Sequence, residues 1–383
     1  MAAMEKNNKN LNVPNLRFPE FSGEWKKYLL KSITNIYDGT HQTPKYTKSG
    51  VPFMSVEDVT QKSSKEQKYI SEQDFHNNFR NPPQKGDILM TRIGDIGTPC
   101  IVPTNEALGY YVSLALIRPF EKLQSCFLNY VIQSNSFKRE LYKRTIHVAF
   151  PQKINKEDIG KCKLDVPSIE EQNRIGDLLS LIDERITTQR KIIEKYESLI
   201  RGLYQLLFQN AKYNDFISLG DISQISNGNS DVKDASMYND GSLYPFFDRS
   251  DEIKFLPEYL FDKEAIIYPG EGAEFYPRYY NGKFALHQRC YAIYDISTDF
   301  IPRYLYHYCK TQNSYFVRNA VGSTVASLRL DTFKRLKIPA IPTHHQESLV
   351  MFLDKIEAKI ECNRTILKKY EEQKKHLLSN LFI

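Results

Sequence analysis

Asn81-Pro82-Pro83-Gln84 is the stretch of this chain that comes nearest to a catalytic motif. In the Asn-Pro-Pro-aromatic arrangement that acts on flipped adenines, the asparagine and a backbone carbonyl hold the exocyclic amine while the aromatic ring stacks on the base. Gln84 supplies no ring, and no strand with a Gly-rich S-adenosylmethionine loop precedes it, so the stretch reads as a proline turn. Gly270-Glu271-Gly272 is a fragment of a phosphate loop without its third glycine or its helix, and the chain has no Walker A sequence. Asp248 with Glu252-Ile253-Lys254 loosely follows the acidic-Lys pattern of metal-dependent nucleases, but such triplets arise by chance in a chain that is 26% charged. His344 and His345, adjacent at a helix start, do not easily face one ion and read as a surface cap. Cys100, Cys126, Cys162, Cys290, Cys309 and Cys362 are scattered without a close pair, as reduced thiols of a cytosolic protein. Neither a catalytic group nor a metal site is expected.

What remains is an architecture that occurs twice. From about Ser168 to Phe208, the residues Ile175, Leu179, Ile182, Ile186, Gln189, Ile193, Tyr196, Ile200, Leu203 and Leu207 alternate steps of four and three. From about Thr343 to Phe382, the same steps pass through Leu349, Leu353, Ile356, Ile360, Asn363, Leu367, Tyr370, Lys374, Leu377 and Leu381. Both trace the a/d seam of a coiled coil. A shift of 174 positions superposes them, with identities that include Gln172/Gln346, Tyr196/Tyr370 and Phe208/Phe382, so the helix is duplicated. In an antiparallel pair, Gln189 and Asn363, each near the midpoint of its seam, face each other and fix the register; alternatively each sits at a hydrated spot and faces nothing. Pairing is expected through Ile182, Ile186, Gln189, Ile193 and Tyr196 of the first helix and Ile356, Ile360, Asn363, Leu367 and Tyr370 of the second.

The globular segments repeat as well. SLGDISQISNG echoes YLLKSITNIYDG, placing Leu219, Ile222, Ile225 and Gly228 over Leu30, Ile33, Ile36 and Gly39. EAIIYPGEG stands where KGDILMTRIGDIG stands in the first half, and VASLRLDTFKRLKIPAIP where AFPQKINKEDIGKCKLDVP stands. The loops between these frames share little. The expected organisation is a disordered lead-in over 1–15, a globule over 16–167, a long helix over 168–209, a second globule over 210–342 and a second long helix over 343–383. In fold class this is α+β: two pseudo-repeated mixed domains separated by two long helices that pair as an antiparallel coiled coil. A helix of about 40 residues is roughly 60 Å long. Net charge is +6, with 25 tyrosines and 22 phenylalanines among the basic residues, which permits a nucleic-acid partner without demanding one. The N-terminal stretch has no apolar signal core and no segment reaches membrane-spanning length, so a cytoplasmic protein is expected. A pseudo-symmetric rod that holds two unlike readers suits a DNA duplex, whose half-sites recur along the helix.

In the stretches RFPEFSGEW, KGDILMTRIGDIG and EEQNRIGDLLSLIDERI, and in the helix ends YESLIRGLYQLLF and YEEQKKHLLSNLF, the chain resembles the specificity subunit of type I restriction-modification enzymes, over nearly its entire length. That resemblance implies a non-catalytic subunit whose two target-recognition domains read an asymmetric bipartite site in double-stranded DNA. It implies docking of two methyltransferase subunits and of restriction (motor) subunits, with S-adenosylmethionine, ATP and Mg on those partners and no cofactor in this chain. A coiled-coil adaptor with two unequal binding modules, or a DNA-modifying enzyme in its own right, are the alternatives.

Direct readout needs hydrogen-bonding side chains on loops that reach a groove. In the first half the candidates are His41, Gln42, Thr43, Lys45 and Tyr46 on a loop pinned by Gly39 and Pro44, then Arg92 among glycines, then Arg144, Thr145 and His147. In the second half they are Asn229, Ser230 and Lys233, then Arg249, Arg278, Tyr279 and Tyr280, then His287, Gln288 and Arg289, then Ser323 and Thr324. For His41 and His147 a structural hydrogen bond is the competing role, and for Arg278 a surface salt bridge with a carboxylate such as Glu274. Lys26, Lys27, Lys138 and Arg139 suit phosphates. The apolar helix ends, Leu199, Tyr204, Leu206 and Phe208 in one and Leu378, Phe382 and Ile383 in the other, either pack on the neighbouring globule or accept a methyltransferase subunit.

Overall fold

The apolar run Ile88–Ile93 pairs antiparallel with Asp95–Ile101 across Gly94, whose φ of +78° makes the reversal at little cost. In the computed structural model, which describes residues 12–42, 44–60, 67–209, 213 and 215–383, this hairpin is the centre of the first of two compact units. That unit comprises residues 1–189 and 366–383; the second comprises 190–365. Among the described residues no helix is long and apolar enough to cross a membrane.

In the first unit, Leu114–Pro119 lies between Ile88–Ile93 and Thr34–Asp38, all antiparallel. A smaller sheet joins Tyr46–Thr47, Lys68–Ile70, Val51–Met54 and Gly109–Tyr110, and Lys26–Leu29 pairs with Lys163–Val166. The stretch from Phe127 to Tyr142, helical in spacing and basic on one face, forms two helices, Ser125–Gln133 and Asn135–Arg144. Buried Ser134 separates them, its Oγ accepting from the Phe137 N–H at 3.3 Å as an N-cap. Asn12 to Asn15, expected within the disordered lead-in, belong to the packed unit: the Asn12 side chain donates to Trp25 O at 2.7 Å and to Asp165 Oδ1 at 2.6 Å. Residues 1–11 lie outside the described residues.

The second unit repeats the frame with a larger sheet, in the order Gln224–Asn227, Cys290–Tyr294, Phe261–Pro269, Arg278–Leu286, Tyr244–Phe247 and Lys254–Leu256. Its helix Pro302–Lys310 stands where Ser125–Gln133 stands, and Phe216–Ser218 pairs with Lys337–Pro339 as Lys26–Leu29 does with Lys163–Val166. The fold is therefore α+β and doubled.

The long helices run over Ile169–Tyr204, with a wider π-type turn Gln205–Gln209, and over Thr343–Asn380. In the first unit Ile175, Leu179, Ile182 and Ile186 share one core with Leu367, Tyr370, Leu377 and Leu381, and Lys374, on the apolar seam, ion-pairs with Asp183 at 2.7 Å. In the second unit Ile200 and Tyr196 share a core with Ile356 and Ile360, Arg364 pairs with Glu197 at 2.6 Å, and Tyr204 donates to Glu357 at 3.0 Å. Numbers rise on one helix as they fall on the other, so the pairing is antiparallel. Ile193 is buried; so is Gln189, in the first unit, whereas half-buried Asn363, in the second, donates to Lys359 O at 2.6 Å. Phe208 and Phe382 are buried in their own units, and Tyr204, Leu378 and Ile383 pack there too, while Leu199 and Leu206 stay exposed.

One side chain fastens each helix to its globule identically. Gln172 accepts from the Gln124 N–H at 2.8 Å and donates to Lys122 O and Pro167 O. Gln346 accepts from the Ile301 N–H at 2.8 Å and donates to Asp299 O and Ile341 O. Both are fully buried, and each caps the start of a helix where no other side chain does. Gln346→Leu keeps the volume but leaves three partly buried backbone groups without this partner, and is expected to lower the unfolding free energy by about 2 kcal/mol in urea titrations.

The helix Pro302–Lys310 is further tied to the long helices by a charged cluster. His307, fully buried, bonds Asp354 at 2.7 Å through Nε2 and the Tyr204 hydroxyl at 2.9 Å through Nδ1. Arg303 pairs with Asp354, and Lys310 with Glu357 at 2.5 Å. His307, Asp354 and Glu357 have the donor set for a metal ion, within 4.8 Å of one another. Two cations and the tyrosine already occupy those donors, so the cluster reads as an ion-pair network. Burial pulls the His307 imidazole below its ordinary range, against the upward pull of Glu357 and Asp354. The unfolded chain then binds the extra proton first, so this contribution to stability is complete above about pH 6.5 and declines as pH falls. Thermal melts are expected to drop as pH falls below about 6.5, and less so in His307→Gln.

Candidate nucleic-acid interface

Two glycines that superpose in sequence do the same work in the two units. A Cβ on Gly39 would lie 2.5 Å from Tyr110 O, and one on Gly228 would lie 1.9 Å from Leu286 O. Only glycine lets the strand end pass so close to the neighbouring strand. Just beyond, Thr40 bridges Tyr111 and Ser230 bridges His287, both in parallel. The hydrogen bonds match one for one: Thr40 N–H to Tyr110 O and Val112 N–H to Thr40 O, against Ser230 N–H to Leu286 O and Gln288 N–H to Ser230 O. Each unit thus presents, from the same place in its frame, two variable loops held side by side. Gly228→Ala is expected to leave far-UV circular dichroism intact while weakening duplex binding more than tenfold in a mobility-shift titration.

In the second unit those loops enclose a cleft of about 290 Å³, lined by Asp231, Asp248, Arg249, Glu271, His287, Gln288 and Arg289 among others. Arg249 and Gln288 are exposed at it. Arg289 is held by Glu271 at 2.8 and 3.0 Å, and His287 accepts from the Arg289 N–H at 3.2 Å. Asp248 anchors the floor: burial raises its carboxyl, but Lys254 at 2.5 Å and two bonds from Ser250 bring it below the ordinary carboxylate range. Asn229 and Lys233 are exposed on the same loop as half-buried Ser230. Ser323 and Thr324 are exposed at the tip of a separate hairpin closed by Val321 and Ser327.

Arg278, Tyr279 and Tyr280 do not reach this surface as readers. Arg278 donates to the carbonyls of Asp248 (Nη2) and, at 2.8 Å, Ser250 (Nη1), with Phe247 under its guanidinium at 5.2 Å; Glu274 plays no part. Burial draws its pKa below the ordinary arginine value. It fixes the loop that carries Arg249. Tyr279 donates to Glu264 and stacks under Arg303 at 4.5 Å, and Tyr280 packs on Phe247 at 5.2 Å.

In the first unit His41, Gln42 and Lys45 are exposed, and Tyr46 is 50% exposed with Lys68 over its ring at 5.5 Å. Thr43 lies outside the described residues. Arg92 is a correction: it lies within a strand, 7% exposed, donating to Val112 O at 2.8 Å and pairing with Asp38 at 3.1 Å. Of the glycines that suggested a loop, Gly94 makes the hairpin turn two residues later and Gly97 lies in the next strand. Arg144 and Thr145 are likewise engaged, closing their helix on Glu140 and Leu141. His147 is exposed and bonds Tyr142 O at 2.9 Å, its ring 4.4 Å from that of Tyr142. Beside it the sequence reading missed two residues, Val148 and Phe150, both fully exposed. Two large apolar groups between a basic helix end and Pro151 were the available signal.

A family model described as the type I restriction modification DNA specificity domain matches residues 22–197 and again 212–372. The specificity subunit of type I restriction enzyme MjaVIII from Methanocaldococcus jannaschii is 26% identical over 204 residues, covering 49% of this chain and 46% of that one. The putative MjaX specificity subunit of the same organism is 32% identical over 132 residues, 32% of this chain and 30% of that one. The chain thus aligns with less than half the length of these curated relatives. Among solved structures, the S subunit of a type I restriction-modification system from M. genitalium superposes with a TM-score of 0.70 at 15% identity, over 97% of this chain and 99% of that one. A chain solved in work on complex assembly and conformational transition of the type I system gives a TM-score of 0.53 at 14% identity, over 92% and 96%.

Proposed function

Because the chain belongs to the type I restriction modification DNA specificity family, matched in both of its halves, we propose that it is the non-catalytic DNA-recognition subunit of such an enzyme, each unit reading one half of a bipartite site. The observation that carries this reading is the recurrent pairing of two variable loops on a constant frame. In the second unit it gathers Arg249, His287, Gln288 and Arg289 around one cleft. Arginine and glutamine can each make bidentate contacts with base edges. The exposed cations Lys26, Lys138 and Arg139 supply the sequence-independent share of affinity.

The long helices keep the half-sites apart, and two methyltransferase subunits, with motor subunits in the full complex, dock on helix surface of the kind left at Leu199 and Leu206. S-adenosylmethionine, ATP and Mg belong to those partners, and the complex works in the cytoplasm. Methylome sequencing of cells that carry this chain with its methyltransferase tests the reading: one asymmetric motif of two short blocks separated by unread positions is expected. Loss of methylation on deleting the chain completes the result. Methyl transfer by the purified chain alone would overturn it.

A further inference from the structure

Val148 and Phe150 stand at the tip of a hairpin and are 97% and 104% exposed, although both are large and apolar. Nothing about the hairpin is loose at its base. Ile146 N–H donates to Lys153 O at 2.8 Å, Gly94 N–H to Gln152 O at 2.8 Å, and Ile154 N–H to Arg92 O at 3.0 Å. Arg92 is itself locked to Asp38. The fold thus holds two apolar side chains out into solvent on a rigid mount, which is unfavourable unless something covers them.

The surroundings identify the covering surface. Lys138, Arg139, Lys143 and Lys153 are exposed around the helix end and the hairpin, and Glu140, on the same helix, is already neutralised by Lys143 at 3.2 Å and Arg144 at 2.9 Å. An apolar tip in a cationic collar complements a nucleic-acid duplex, with phosphates outside and stacked bases within. We propose, building on the DNA-recognition reading, that Val148 and Phe150 form a wedge that enters a base step of the half-site read by the first unit and unstacks it. Apolar side chains that part a base step in this way kink the duplex.

The second unit supplies an internal control. Its hairpin has the same mount: Gly272 N–H donates to Ala326 O at 3.0 Å, Leu328 N–H to Gly270 O at 2.7 Å, and Val321 pairs with Ser327. Its tip carries Ser323, Thr324 and Val325, with Val325 48% exposed and no aromatic ring. Unstacking is therefore confined to one half of the site.

Phe150→Trp in the full-length chain provides the probe, because the natural tryptophan, Trp25, is 3% exposed and gives a constant background. Adding the bipartite duplex is expected to quench the new indole at least twofold and shield it from iodide. Val148→Ala with Phe150→Ala is expected to weaken duplex binding about tenfold, while Val325→Ala at the tip of the second unit's hairpin leaves it within twofold. Specific binding with no change in the indole overturns the wedge and leaves the recognition reading standing. An indole that responds to the methyltransferase subunit without DNA also overturns it, and marks the tip as a protein contact. A chain that binds no duplex, alone or with its methyltransferase, overturns both readings.

Discussion

Arg249→Ala combined with Gln288→Ala is expected to cut affinity for the cognate duplex about a hundredfold, with affinity for unrelated duplex nearly unchanged. Each side chain lines the cleft of the second unit, is exposed, and suits a bidentate contact with a base pair, worth about 1–3 kcal/mol of discrimination. Two such losses, near in space and so not strictly additive, give about 3 kcal/mol, or a factor of about a hundred. Competition titrations at two salt concentrations check the result, because loss of a base contact leaves the salt slope nearly unchanged whereas loss of a phosphate contact lowers it by about one. Arg289→Ala is expected to cost less, since Glu271 already holds that guanidinium. Arg278→Ala separates structure from recognition: it frees two loop carbonyls, so the melting temperature falls along with binding.

Adding four residues to both long helices, after Gln189 and after Thr365 where the chain passes between its units, is expected to move methylation to a new motif. The two blocks stay the same and the gap between them widens. Four helical residues add about 6 Å, close to two base-pair steps of 3.4 Å, with a rotation of about 40° beyond a full turn. Insertion in both helices preserves the antiparallel register that links Glu197 to Arg364 and Asp183 to Lys374 within their units. Methylome sequencing reads the outcome directly, and an unchanged gap would remove the spacer role from the helices.

Much of this frame was legible in the sequence because it is dictated by spacing. The four-three seam, the 174-residue shift and the glycines at 39 and 228 are properties of single residues at fixed intervals, and they have one geometric solution each. Gln172 and Gln346 were visible only as an identity; that they hold three backbone groups emerges from the folded contacts. The candidate surface was less legible because polar type does not reveal direction. Arg92 and Arg249 both stand near turns, yet one is drawn into its sheet by Asp38 on a strand more than fifty residues earlier, and the other is exposed and forms no ion pair among the described residues. Arg278 illustrates the same limit, since its partners are the carbonyls of Asp248 and Ser250, which side-chain chemistry cannot announce. Val148 and Phe150 escaped for the opposite reason: apolar residues were assigned to the interior by default.

The first unit is stitched from two separated stretches, with Leu16 bonded to Asn380 and Phe127 packed on Phe382. The second is a single uninterrupted insertion between them. During synthesis, then, the reader that begins first must be completed last: residues 190–365 have everything they need to close while the earlier globule still waits, its core open, for Leu377, Leu381 and Phe382 to emerge. A released chain truncated after residue 365 should therefore protect its later half from protease and leave its earlier half open to cleavage.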